Sequence, residues 1–114
     1  MVNEAKKRLL DVAAACEAIG QFVSGKDFAA YEQDHLLRSA VERQFEIIGE
    51  ALNRAGRVEP SLAEQIPAFR RIIGLRNRLI HGYDSVDDEL LWDVVQSKLQ
   101  PLKTAVDAVI ERWD

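Results

Sequence analysis

The chain has 114 residues, 47% of them hydrophobic and 30% charged, with a net charge of −4. That size suits one domain, residues 1–114, around a single core, and the composition excludes a disordered or fibrous chain. The lone cysteine, Cys16, excludes an intrachain disulfide and a cysteine-built metal cluster, while the acidic balance argues against a long non-specific nucleic-acid groove.

The apolar runs are too short to span a bilayer, so no membrane partner is expected. Met1 to Lys6 carries no apolar core of the secretory kind, so no leader is expected and a cytoplasmic location follows. The first helix is predicted from about Glu4 to Val23, because Leu9, Val12, Ala13, Cys16, Ile19 and Val23 recur at helical spacing. Cys16 reads there as a small buried apolar residue. Ser24-Gly25-Lys26-Asp27 stops the helix, and 28–33 reads as a loop.

A second helix is predicted from near Asp34, with Leu37, Val41, Phe45, Ile48, Leu52 and Ala55 as its stripe and Gly56 as its stop. Gly49 inside it should cost up to about 1 kcal/mol relative to Ala, which close approach of another helix would offset. Ser61 and Glu64 fit a capping box for a short helix. Pro67 then suits the first position of a third main helix that ends at His81 before Gly82. Its apolar body (Phe69, Ile72, Ile73, Leu75, Leu79, Ile80) predicts a central place. Ser85 with Asp88 opens a last helix, which Pro101 should break or kink. Trp92 and Trp113 fall on helical faces as core or interface aromatics. Four main helices and a short one, joined by short turns, predict an all-α, up-and-down antiparallel bundle.

Chemistry is concentrated in Arg76-Asn77-Arg78-Leu79-Ile80-His81-Gly82-Tyr83. Residues 65–83 hold four arginines (Arg70, Arg71, Arg76, Arg78) and no acid, while the rest carries 11 basic against 19 acidic residues. A basic patch on an acidic body suits a local anion site, with Arg70, Arg71 and Arg78 expected to add substrate-binding charge. Asn77 and His81 share a helix face four residues apart. Arg76 stands five before His81, about 140° around the axis. Those two meet only if the helix end loosens or a two-fold copy completes the site. An Arg fork holds phosphate oxygens, and an imidazole moves protons near neutral pH. Such groups suit RNA cleavage without a metal: the ribose 2′-OH attacks phosphorus, His81 shuttles protons, Arg76 steadies the phosphate and Asn77 orients an oxygen. The plain alternative is that the arginines pair with Asp84, Asp87 or Asp88 and His81 caps the helix.

Elsewhere His35 reads as a surface or capping residue, and the row Glu42, Glu46, Glu50 as a solvated face near Arg38, Arg43 and Arg54. The functional alternative is that Glu46 or Glu50 pairs with an arginine of the motif helix and positions it. Without a His among them, a metal site is not expected there.

The Arg-x4-His-x-Tyr pattern resembles the HepT-like toxins of the HEPN superfamily, found in HepT–MntA toxin–antitoxin pairs. Ile66-Pro67, Gly74-Leu75 before Arg76, Leu91-Trp92-Asp93 and Ile47-Ile48-Gly49-Glu50-Ala51 extend the likeness over nearly the whole chain. The resemblance implies an all-α bundle that forms a homodimer, with the two motif helices facing across a shared cleft. It implies metal-independent RNA cleavage by Arg76 and His81 with help from Asn77, and no cofactor. It also implies an MntA-like nucleotidyltransferase antitoxin as partner, adding AMP to Tyr83. Negative charge and bulk at the cleft mouth would then compete with RNA. Ala68 departs from the family, whose members often carry a bulky aromatic after the proline. Two other readings stay open: a binding subunit that docks a nucleotidyltransferase without cleaving, and a purely structural dimerisation bundle.

Overall fold

The structure, a computed structural model, describes residues 2–81 and 86–114. Among these, all regular structure is helical: α1 (Val2–Val23), α2 (Phe28–Gln33), α3 (His35–Val58), α4 (Leu62–Gln65), α5 (Phe69–His81), α6 (Asp88–Ser97) and α7 (Leu99–Trp113). The expected all-α bundle is what forms, with two more helices than the periodicity predicted. α1 and α3 are the central pair; α5 lies on α3, α7 on α1, α6 on α7, and α2 against α3 and α6.

The stripe that predicted α3 is buried throughout, and that of α1 is buried at Leu9, Val12, Cys16 and Ile19, with Ala13 and Val23 half-buried. Leu9, Val12 and Ile19 of α1 meet Val41, Phe45, Ile48 and Leu52 of α3 in one continuous core. Each such fully buried aliphatic side chain contributes about 1.5–3 kcal/mol. Cys16 is buried among them, and burial pushes its thiol up to about 12, so it packs as an apolar residue with no reactive thiolate.

Residues 28–33 form a helix, not the predicted loop. Asp27, read as a turn residue, is its N-cap: the carboxylate accepts from the Ala30 N–H at 2.8 Å. Tyr31 is fully buried, and its ring lies 5.0 Å from that of Trp92, with Phe28 6.4 Å from the same indole. A short helix that marginal propensity alone would not hold is fixed by a cap and an aromatic cluster. Asp34 caps α3 in the same way through the Leu37 N–H.

Three boundary expectations are corrected and one is met. Gly56 does not stop α3, which runs on to Val58; a Cβ there would stand 2.6 Å from the Phe69 ring, so the missing side chain makes room for α5. Ser61 has helical dihedrals and makes no cap hydrogen bond; its hydroxyl accepts from the Gln65 amide. α5 begins at Phe69 and not at Pro67, because Ala68 intervenes with φ 62°. The break expected of the last helix is present: α6 ends at Ser97 and α7 starts at Leu99. Pro101 accounts for the division, since in a continuous helix its ring would crowd the Ser97 carbonyl. In α7 it occupies the first turn, where its missing N–H would have been an orphan. Asp87 caps α6 by accepting from the Leu90 N–H at 3.0 Å. The Gly82 stop and Ser85, the other half of the predicted capping box, lie outside the described residues.

Candidate functional site

α5 was expected to be central because of its apolar residues. Only Phe69, Ile72 and Leu79 are buried, Ile73 and Leu75 are half-buried, and Ile80 is exposed. The helix is amphipathic, packed on α3 by one face and open on the others.

The tight contact inferred from Gly49 is present, and it falls on the motif arginine. A Cβ at Gly49 would stand 2.2 Å from Arg76 Cβ and 3.3 Å from the Ile72 carbonyl oxygen. The stem of Arg76 therefore lies against α3 backbone, in a place no methyl group could share. Its guanidinium is then held at both ends. Nη2 donates to Glu50 Oε2, and Nη1 donates to Asn77 Oδ1 at 2.7 Å. The other Glu50 oxygen accepts from Arg54 Nε at 2.6 Å. That Arg54 hydrogen bond, followed by the charges of Arg76 and Arg54 and of Arg57, holds the Glu50 carboxyl below the usual carboxylate range. Of the two alternatives for the glutamate row, the positioning one holds for Glu50. Glu46 instead pairs along its own helix with Arg43 at 3.3 Å.

His81 is the last residue of α5 and is exposed. It borders a cavity of about 500 Å³ between α5 and α6, together with Asn77, Arg78, Leu75 and Leu90. Arg76 does not border that cavity; it borders a different depression, on the α1–α3 side. Within one chain, then, the structure does not bring Arg76 and His81 together, as the helical period anticipated. Asn77 joins the two: it accepts from Arg76 and borders the His81 cavity.

The expected substrate arginines are likewise divided. Arg71 and Arg78 line a common groove beside Gly74 and Leu90, whereas Arg70 lies apart, with Arg57 and Asn53 near the end of α3. Tyr83 lies outside the described residues. Three arginines close to Arg76, namely Arg8, Arg43 and Arg54, were not singled out as site residues. Arg8 gives no sequence signal, since a charge flanking Leu9 in α1 looks like any edge of an apolar stripe.

Among the described residues, no three His, Cys, Asp or Glu side chains form a metal-binding group, and no helix is long and apolar enough to cross a membrane. A family profile described as "Ribonuclease HepT-like" matches residues 12–109. "Probable ribonuclease HepT" of Thermococcus cleftensis is 35% identical over 103 residues, covering 90% of this chain and 93% of its own. "Putative RNase MJ1380" of Methanocaldococcus jannaschii is 31% identical over 109 residues, covering 94% of this chain and 97% of its own. No solved structure gives a significant match. A charged helix end of Arg76, Asn77 and His81, carried on an all-helical chain that matches these relatives over nearly its full length, leads to one conclusion: the chain belongs to the HepT-like ribonuclease family.

Proposed function

We propose that this chain is the toxin subunit of a type VII-like toxin–antitoxin pair: a metal-independent endoribonuclease that works as a homodimer and is silenced when a cognate nucleotidyltransferase adds AMP to Tyr83. The observation that carries the reading is the hydrogen bond from Arg76 to Asn77, which ties the guanidinium to the rim of the cavity where His81 stands.

The chemistry follows from those groups. His81 accepts the proton of the ribose 2′-OH, whose oxygen bonds to the adjacent phosphorus. The bond from phosphorus to the 5′-oxygen breaks, and that oxygen leaves with a proton from an imidazolium. The products are a 2′,3′-cyclic phosphate and a 5′-hydroxyl. Arg76 stabilises the charge on the five-coordinate phosphorus, and Asn77 orients an oxygen beside it. In one chain the arginine and the imidazole occupy different faces of α5, so a second copy related by a two-fold axis would complete the constellation. An adenylate on Tyr83, two residues past His81 in sequence, adds a negative phosphate that would compete with the strand for the arginines.

The test is cleavage of RNA in chelator by the wild type and by His81→Ala and Arg76→Ala. Activity that survives both substitutions, or that requires a metal, refutes the mechanism. The intact mass of the chain co-expressed with a nucleotidyltransferase partner should rise in adenylate-sized steps, and Tyr83→Phe should abolish the rise.

A second reading is a non-catalytic subunit that docks a nucleotidyltransferase and binds nucleotide or phosphate. The commitment of Arg76 to Glu50, away from His81, favours it. An unmodified chain that binds its partner and ATP yet never cuts RNA would establish it.

A further inference from the structure

Where α1, α3 and α5 meet, four arginines from the three helices border one depression of about 330 Å³: Arg8, Arg43, Arg54 and Arg76. Three carboxylates stand among them, Asp11, Glu46 and Glu50. Glu46 is engaged by Arg43, and Glu50 by Arg54 and Arg76. Among the described residues Arg8 forms no ion pair, not even with Asp11 three residues along its own helix. Four guanidiniums against three carboxylates leave one positive charge over.

A second observation falls on the same place. Three buried side-chain polar atoms among the described residues find no hydrogen-bond partner, and two of them are Arg8 Nε and Arg76 Nε. Both belong to side chains bordering this depression. A buried guanidinium N–H without an acceptor is costly to a folded chain, and an anion that enters and accepts from it removes the cost. Guanidinium forks select phosphate oxygens in preference to small monovalent anions, because two parallel N–H groups match two oxygens.

The geometry points to a phosphate subsite in this depression, with Arg8 as its principal ligand: it binds a backbone phosphate of the RNA strand next to the one that Arg76 presents for cleavage. The inference rests on the ribonuclease reading above. It adds a residue from the first helix, far from the motif in sequence, and runs the strand over the α1–α3 face as well as along α5. Arg43 and Arg54 stay paired with their carboxylates and line the path.

The test measures Arg8→Gln, Arg8→Lys and, as a charge-matched control, Lys7→Gln on the exposed side of α1. Binding is read with a short single-stranded RNA methylated at every 2′-oxygen, which keeps its phosphates but lacks the nucleophile, over a range of salt. Cleavage of the unmethylated strand is read in parallel as KM and kcat. Arg8→Gln should weaken binding and raise KM about tenfold, and should lower the salt slope by about 0.7, with kcat retained. Arg8→Lys should keep the salt slope and lose part of the affinity, since it keeps the charge but not the fork. Should Arg8→Gln fail to fold, the Arg8→Lys affinity decides. Lys7→Gln should behave as wild type.

Unchanged affinity, slope and KM in the Arg8 variants overturn the subsite while leaving the ribonuclease reading intact. An equal loss in Lys7→Gln overturns it too, because general surface charge then explains the effect. Inhibition by inorganic phosphate or AMP that weakens in Arg8→Gln while RNA binding does not would assign the depression to a free phosphate. A wild type that neither binds nor cuts RNA sinks both readings together.

Discussion

The two faces of α5 are built in opposite ways. On the α3 side, Gly49 brings backbone against the stem of Arg76, and Glu50 and Asn77 hold its guanidinium. On the α6 side, His81 stands exposed at the edge of a cavity of about 500 Å³. The guanidinium is held by packing and hydrogen bonds within the chain; the imidazole is not buried by it. The difference shows that ordinary helix packing can fix one polar group of a candidate site while another, five residues along the same helix, is left exposed.

The comparison breaks most sharply at the two motif residues. Arg76→Ala and His81→Ala should each lower RNA cleavage by about 100-fold or more. Their stabilities should differ. His81→Ala, at an exposed helix end, should stay within about 0.5 kcal/mol of wild type in urea. Arg76→Ala should cost more, because packing along its stem is lost and Glu50 keeps only Arg54. Equal stabilities would mean the Arg76 side is no better built than the His81 side.

Next in size is the glycine pair. Gly49→Ala must push α3 and α5 apart and should cost about 1–3 kcal/mol, with lower cleavage because Arg76 moves. Gly74→Ala places its methyl in open space and should stabilise by up to about 1 kcal/mol. A Gly49→Ala protein that melts and cuts like wild type would remove the claim of a packed arginine.

Glu50→Gln sharpens the comparison through pH. The native Glu50 carboxyl lies below its ordinary range, so its contribution to stability is full above the unfolded carboxylate value of about 4.3. It is lost as pH falls through the lower native value. The difference in stability between wild type and Glu50→Gln should therefore be constant near neutrality and vanish in acid. A difference that grows with acidification would contradict the pairing.

The smallest effect concerns the start of α5. Ala68 at φ 62° stores strain of about 1–2 kcal/mol that glycine would not feel. Ala68→Gly should raise the denaturant midpoint modestly, with cleavage unchanged.

The parts of this fold legible in the sequence were those written as periodic stripes. α3 buries every residue its 3.6-residue spacing selects and α1 most of them, Ala13 and Val23 being half-buried, and Gly49 signalled a close helix contact because an unpaid-for glycine inside a long helix needs a reason. Glu50 was legible only as an alternative, since a carboxylate row at intervals of four looks the same whether it faces water or a neighbouring arginine. α2 escaped because six residues carry too little periodicity; its support is tertiary, in Tyr31 against Trp92. The parting of α6 from α7 was legible at Pro101, but its position was not, because the collision falls on the carbonyl four residues earlier. The dispersal of the arginines escaped for a related reason. Arg70 and Arg71 are adjacent in sequence yet line different grooves of α5, Arg71 sharing its groove with Arg78, while Arg8 of the first helix borders the same depression as Arg76.

The packing of Trp92 of α6 near the α2 rings has an optical consequence. The indole lies 5.0 Å from the Tyr31 ring and 6.4 Å from the Phe28 ring, on the same helix whose Leu90 and Leu91 supply a wall of the His81 cavity. Any occupant that displaces α6 outward or draws it in alters the ring environment of Trp92, and with it the emission and near-ultraviolet dichroism of the native chain. The protein thus carries its own reporter for events beside the histidine.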